Sequence, residues 1–252
     1  MKLVSVLAMA AAMSVAATTP AAAQNGVPGP DEDPFIWLEE ARSERALDWV
    51  GKENQRTIAH MTADPRFAQL KADALTIYDS EDRIPYVSIR PDGLYNFWQD
   101  KQNPRGLLRR TTLDSYRSAT PQWETVLDID ALSKAEGREW VYKGTSCLPP
   151  ALNLCMVALS DGGEDATVLR EFDTRTKSFV EGGFVIDAKS QGDVEWLDKD
   201  TLLVNRDFGA GTLTESEYPF TTRLWKRGTP LAEAEEIFQI GRAVSAGMPR
   251  PN

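Results

Sequence analysis

The rhythm of hydrophobic and polar positions changes twice along this chain. From Leu3 to Ala17 the residues are mostly small and apolar. Between Asp33 and about Tyr78 the apolar residues return at helical spacing. Asp33-Pro34 is an N-terminal helix signal with proline at the first helical position, and Phe35, Leu38 and Trp37 give a short helix its apolar side. Ala46, Trp49, Val50, Ile58 and Met61 then recur on one side of a longer helix, with Glu44, Asp48, Lys52, Glu53 and Arg56 around the other. Asp64-Pro65 breaks it. A third helix is predicted from about Arg66 to Ile77, presenting Phe67, Leu70, Ala74 and Ile77.

After Asp82 the period shortens to that of strands, punctuated by Gly, Pro, Asp and Asn. Tyr86–Arg90, Leu94–Gln99, Gly106–Arg110 and Thr125–Asp128 form a first set of predicted strands. Trp140–Lys143, Leu154–Leu159, Ala166–Phe172 and Ser178–Val180 form a second. Asp193–Leu197, Thr201–Asn205, Thr222–Lys226 and Glu236–Phe238 form a third. Similar segments, beginning at Leu108, Leu169 and Leu224, recur in the three sets, 61 and then 55 residues apart. Short strands in a loose repeat of about 50 residues predict propeller blades rather than a sandwich. The fold class is therefore mainly β: a partial β-propeller of about three four-stranded blades in residues 83–252, preceded by an α-helical segment in 24–82.

Residues 1–23 set the expected compartment. Lys2, the apolar stretch after it and Ala21-Ala22-Ala23 before Gln24 have the layout of a secretory signal peptide. The apolar stretch of about 15 residues is shorter than the roughly 20 a bilayer span needs, and no later segment is apolar enough. An exported location, the bacterial periplasm, is expected. Cys147 and Cys155, with Pro149-Pro150 between them, are expected to close into a disulfide in such a compartment. A loop this short contributes about 2–3 kcal/mol in the chain-entropy picture. A metal or redox pair is the weaker reading, because Cys-x2-Cys spacing, a second ligand pair and a nearby histidine are all missing. The chain carries 28 basic and 38 acidic side chains, a net charge of −10, with no basic cluster interleaved with aromatics. Nucleic acid and anionic membrane are excluded as partners on that ground.

Candidate chemistry is sparse. The sequence has one histidine, His60, and no Gly-x-Ser-x-Gly. His60 falls at the end of the second predicted helix, where it complements the helix dipole. Ser146 in Gly144-Thr145-Ser146-Cys147-Leu148 lacks the final glycine of a nucleophile elbow. Ser245 in Ala243-Val244-Ser245-Ala246-Gly247 has no acid and histidine after it in hydrolase order. The acidic turn Asp161–Asp165 lacks the alternating ligands of a calcium loop. Glu39-Glu40, and Asp79 with Glu81-Asp82, read as solvated acids rather than a glycosidase pair. The tryptophans read as core anchors. No catalytic, cofactor-binding or metal-binding residue is assigned, and no cofactor is expected.

Several segments, in order, resemble the prolyl oligopeptidase family. Asp33-Pro34-Phe35-Ile36-Trp37-Leu38-Glu39 is similar to that family's Asp-Pro-x-x-Trp-Leu-Glu opening, and Trp49-Val50 with Glu53-Asn54 follows at its Trp-Val-x-x-x-Asn helix. Tyr95–Asp100, Asn103-Pro104-Arg105-Gly106 and Arg109-Arg110-Thr111 resemble its first blade, and Trp123–Asp130 the segment after it. Ser160–Ala166, Arg170–Asp173 and Trp196–Leu203 resemble later turns and strand pairs. The resemblance implies a serine-type endopeptidase acting on short proline-containing peptides. In that family an α/β-hydrolase domain, which carries serine, aspartate and histidine, joins a seven-bladed propeller. The helical segment packs with the hydrolase domain. Nothing in this chain corresponds to that domain, so the expectation is an incomplete portion, inactive alone, whose partner is its own or a separate hydrolase domain. A stand-alone, non-catalytic periplasmic propeller-like binding protein is the alternative.

Overall fold

The computed structural model describes residues 33–80, 82–214 and 216–240. The expected signal peptide, Glu81 and the Ser245 segment lie outside the described residues. The chain divides at Asp73/Ala74 into two compact units.

In the first unit, a 3-10 turn at Ile36–Glu39 stands where a short helix was expected. Helix α1 (Glu44–Thr62) starts at Ser43, whose hydroxyl accepts from the Ala46 N–H at 3.2 Å and satisfies one orphan donor of the first turn. The indole of Trp37 meets that of Trp49 edge-on at 6.2 Å, and the Arg45 guanidinium stacks on Trp37. The apolar stripe exists as expected, but Ala46 is its one buried member; Leu47, Trp49, Val50, Ile58 and Met61 are exposed. Helix α2 (Phe67–Tyr78) follows, and the two units divide within it. Among the described residues no helix is long and apolar enough to cross a membrane.

The second unit holds three antiparallel sheets. Blade 1 is β1 (Ser88–Arg90), β2 (Gly93–Trp98), β3 (Leu107–Thr111) and β4 (Glu124–Asp128), paired in sequence order. Two short helices flank β4: α3 (Leu113–Tyr116) and α4 (Ile129–Glu136). Blade 2 is β5 (Trp140–Cys147), β6 (Leu154–Asp161), β7 (Thr167–Asp173) and β8 (Ser178–Phe179), with β9 (Val185–Ser190) also paired to β7. Blade 3 is β10 (Asp193–Asp198), β11 (Thr201–Asn205), β12 (Thr221–Lys226) and β13 (Glu235–Gln239). The three predicted sets of strands are the three sheets.

The period-2 alternation of strand side chains builds two seams. On β6, Val157 and Leu159 join the apolar cluster shared with blade 1, while Met156, Leu154 and Ala158 join the cluster shared with blade 3. On β7, Val168 and Phe172 face blade 1 and Leu169 faces blade 3. Blade 2 is thus buried on both faces, which is why Leu154–Leu159 reads as a continuous apolar run rather than an alternation.

Three features depart from expectation. β5 was expected to stop at Lys143; it continues to Cys147 because the register shifts between Tyr142 and Gly144, a bulge in which Gly144 takes φ +126°. Helix α4, just beyond the strand expected to end at Asp128, was not foreseen; Asp128 caps it by accepting from the Ala131 N–H at 2.8 Å, and Gly137 closes it in the left-handed region at φ +63°. β9 was not expected at all. β8 is only two residues long and leaves the rest of β7 unpaired, so β9 supplies a second partner at Thr167, Leu169 and Arg170.

Candidate functional site: the seams between blades

His60 is exposed in the last turn of α1, in the first unit. Ser146 lies on β5 in the second, its hydroxyl donating to Glu195 Oε2 at 3.2 Å, a contact that links blades 2 and 3 and presents no nucleophile. Asp161 takes bonds from Arg138 and from the Glu139 N–H, which hold its carboxyl below the usual range. Asp79 pairs with Lys101 at 3.2 Å. Among the described residues no group of three His, Cys, Asp or Glu side chains is placed to hold a metal ion.

The structure concentrates its interactions at the seams instead. Between blades 1 and 2, Phe97 stacks on Tyr142 with centroids 4.6 Å apart, beside an apolar cluster that includes Tyr95, Leu108, Ile129 and Trp140. Polar ties ring this cluster. Arg110 donates to the Thr174 carbonyl at 3.3 Å, and Arg105 donates to the Trp140 carbonyl at 3.2 Å and pairs with Glu139. Lys177 reaches Glu124 at 2.6 Å, which Arg110 also holds at 2.6 Å. These two cations, Arg110 first, pull the Glu124 carboxyl down to about 2.

Between blades 2 and 3, Phe184 meets Trp225 at 4.8 Å and Trp196 at 5.8 Å, both edge-on. The Trp196 indole N–H donates to the Ser146 carbonyl at 3.0 Å. Glu171, buried in β7, accepts two bonds from Arg227 at 2.8 and 3.0 Å and one from the Phe184 N–H at 2.7 Å. Gly183 makes that approach possible, since a Cβ there would lie 2.8 Å from Glu171 Oε2. Arg206 is buried without a carboxylate contact; it donates to the carbonyls of Thr167, Ala188 and Gly192 and to the Thr167 hydroxyl. Burial draws its guanidinium down to about 10, so it stays cationic at neutral pH.

A cavity of about 470 Å³ opens between β5 and β10, lined by Lys143, Thr145, Ser146, Cys147, Asp193 and Glu195 among others. Cys147 and Cys155 stand opposite each other in the β5–β6 register and are joined, with Cα atoms 4.0 Å apart. On the face of blade 1 away from blade 2, Arg109 is layered between Trp98 and Trp123, 4.2 Å from each ring centroid. Arg83 stacks on Trp98 as well, at 4.5 Å.

Sequence reasoning missed Arg90, Glu171, Arg206 and Arg227 as seam residues. The available signal was a charged residue inside a buried run, as in Leu169-Arg170-Glu171-Phe172. A charge there requires a partner, because an unpaired one is costly to bury; which partner, the sequence does not say.

Antiparallel sheets of four or five strands packed face to face through such seams define a β-propeller domain, of which three blades are described. The chain belongs to the prolyl oligopeptidase family: residues 18–246 match the family model described as "Prolyl oligopeptidase, N-terminal beta-propeller domain". It is 48% identical over 208 residues to the uncharacterized peptidase y4nA of Sinorhizobium fredii, a match covering 82% of this chain and 28% of that protein. It is 33% identical over 219 residues to the uncharacterized peptidase RP174 of Rickettsia prowazekii, covering 84% and 30%. The chain thus spans less than a third of the length of these curated relatives. Among solved structures, a post-proline cleaving enzyme from Rickettsia typhi is similar with TM-score 0.76 and 33% identity, over 85% of this chain and 32% of that one. Oligopeptidase B from Leishmania major shares the fold at TM-score 0.60 and 17% identity, over 83% of this chain and 28% of that one.

Proposed function

We propose that this chain is the helical and propeller portion of an exported serine-type endopeptidase that acts on short proline-containing peptides. Catalysis belongs to an α/β-hydrolase domain, its own or on a separate chain, and this portion alone is inactive. The observation that carries the reading is the succession of blades with built seams, in a chain similar at 33% identity to a post-proline cleaving enzyme of which it covers 32%. The exposed apolar side chains of α1 support it, since a helix stripe this apolar is stable against a partner rather than in water. The leader-like residues 1–23 support export.

The test compares residues 24–252 with the same chain continued through the downstream reading frame. Each is assayed with a prolyl p-nitroanilide peptide and a fluorophosphonate probe that labels active serines. The longer product should hydrolyse the peptide and take the label; the shorter should do neither. Labelling of the shorter chain would defeat this reading, and so would a downstream frame with no Gly-x-Ser-x-Gly, acid and histidine in that order together with no separate hydrolase chain that restores hydrolysis when added. The latter result would leave a non-catalytic binding protein. Fractionation of cells expressing the complete sequence checks export, with the processed chain expected in the periplasmic fraction.

A further inference from the structure

Arg90 ends β1 in blade 1 and crosses the seam to blade 2. Its Nη1 lies 3.3 Å from Cys147 Sγ, 3.6 Å from Cys155 Sγ and 3.5 Å from the Leu152 carbonyl. Its Nη2 donates to the Thr145 hydroxyl at 3.3 Å, and its guanidinium lies 4.2 Å from the Tyr95 ring centroid. A disulfide sulfur is a weak acceptor, so a guanidinium aimed at two of them gains little while the bond is closed. The same guanidinium beside a thiolate makes a charge-assisted bond, and cations beside cysteine lower thiol pKa values. The arrangement favours the reduced side of the couple.

Access is one-sided. Cys155 is fully buried, whereas Cys147 is part-exposed and lines the cavity between β5 and β10. Around that cavity Lys143 adds to the positive field, and Asp193 and Glu195 oppose it; Arg90 is the charged group in contact with the sulfurs.

We propose that the Cys147–Cys155 bond is a reducible clasp, exchanged by an external dithiol through Cys147, with Arg90, in contact with both sulfurs, holding each of the two thiolates as it is released. One thiolate of the dithiol attacks Cys147 Sγ, the S–S bond breaks, and Cys155 leaves as a thiolate facing Arg90. The second thiol of the dithiol, once deprotonated, attacks the mixed disulfide and frees Cys147. Two electrons pass from the dithiol, which ends as its own disulfide, to the protein cystine. Of the two protons that the dithiol releases, each is taken up by a protein thiolate below that thiol's pKa and passes to solvent above it. Reduction frees the Leu148–Asn153 loop, whose Leu148 packs at the margin of the blade 2–3 cluster, and leaves the buried members of both apolar clusters in place.

The full chain is equilibrated in mixtures of reduced and oxidised dithiothreitol at pH 6 and pH 9, and free thiols are trapped by alkylation. Arg90→Gln should need a higher ratio of reduced to oxidised reagent for half-reduction than wild type. If Arg90 lowers one thiol by about one pKa unit, the gap is small at pH 6, where both proteins hold protonated thiols. It approaches tenfold at pH 9, above the ordinary thiol value of about 8.5. Arg90→Lys, which keeps the charge, should fall between. A merely structural role for Arg90 gives a gap that does not grow with pH. The wild-type protein supplies a second readout that no folding defect can mimic: after reduction, the pH dependence of its iodoacetamide reaction should place Cys147 below about 8.5. A pH-independent gap, an Arg90→Gln protein that is easier to reduce, or an ordinary or raised Cys147 value would each overturn the proposal.

Discussion

Among the described residues, Glu124 carries the clearest pH signature. Arg110 and Lys177 both bond its carboxylate, and its pKa falls from 4.5 to about 2. A carboxyl depressed in the folded state adds stability above its unfolded value, and that stability is lost as pH falls through the folded one. Glu124→Gln should therefore lower Tm at pH 7 and narrow its deficit to wild type between pH 4.5 and 2. The pair lies at the surface, so the loss at neutral pH stays below about 1 kcal/mol. Melting curves across that range check both the sign and the window; a deficit that is constant with pH refutes the account. None of this was legible in advance, because Glu124 and Lys177 are 53 residues apart and meet only when blades 1 and 2 pack.

At the scale of elements, the strands were the legible part. Their alternation and turn residues placed the three sets of four in the right order, and the errors fall where local chemistry competes with pattern. Gly144 looked like a strand end and is a bulge, since a glycine can hold φ +126° while the ladder resumes on its far side. The helix that starts right after the strand ending at Asp128 went unread, and it forms because the Asp128 side chain caps its first turn. Asp128→Ala should cost about 1 kcal/mol in urea unfolding. An unchanged midpoint would show that α4 is held by Ile129, fully buried at its first position, rather than by its cap. β9 escaped because the fourth-strand place in blade 2 is shared between two segments, and a four-strand repeat gives no reason to look for a fifth.

At the scale of the whole molecule, the second unit coheres through its seams rather than through one central core. Phe184 shows how much hangs on a single side chain: it is fully buried, touches both Trp196 and Trp225, and offers its N–H to the buried Glu171. Phe184→Ala should cost about 3–5 kcal/mol, the range for emptying an aromatic site in a core. Because the loss falls between blades 2 and 3, denaturation followed by tryptophan fluorescence should show the change chiefly at Trp196 and Trp225. A cost under about 1 kcal/mol, within the range of surface substitutions, would mean that the seam repacks and that the sheets do not depend on it.

The hydrophobic rhythm of the chain was enough to determine the helical beginning, the mainly β remainder and the order of the strands, because each rests on local period, and it was the resemblance of short segments such as Asp33–Glu39, not the rhythm, that pointed to the family. The sequence also placed its one histidine, His60, ahead of Ser146 and Ser245, the two serines weighed as nucleophiles. Only the tertiary structure decided which face of each strand meets which blade. It alone brought Arg90 to the Cys147–Cys155 bond and paired Glu171 with Arg227, across 57 to 65 residues for the first and 56 for the second. Such pairings depend on how whole sheets stack, and stacking is set by complementary surfaces that no short window of sequence contains.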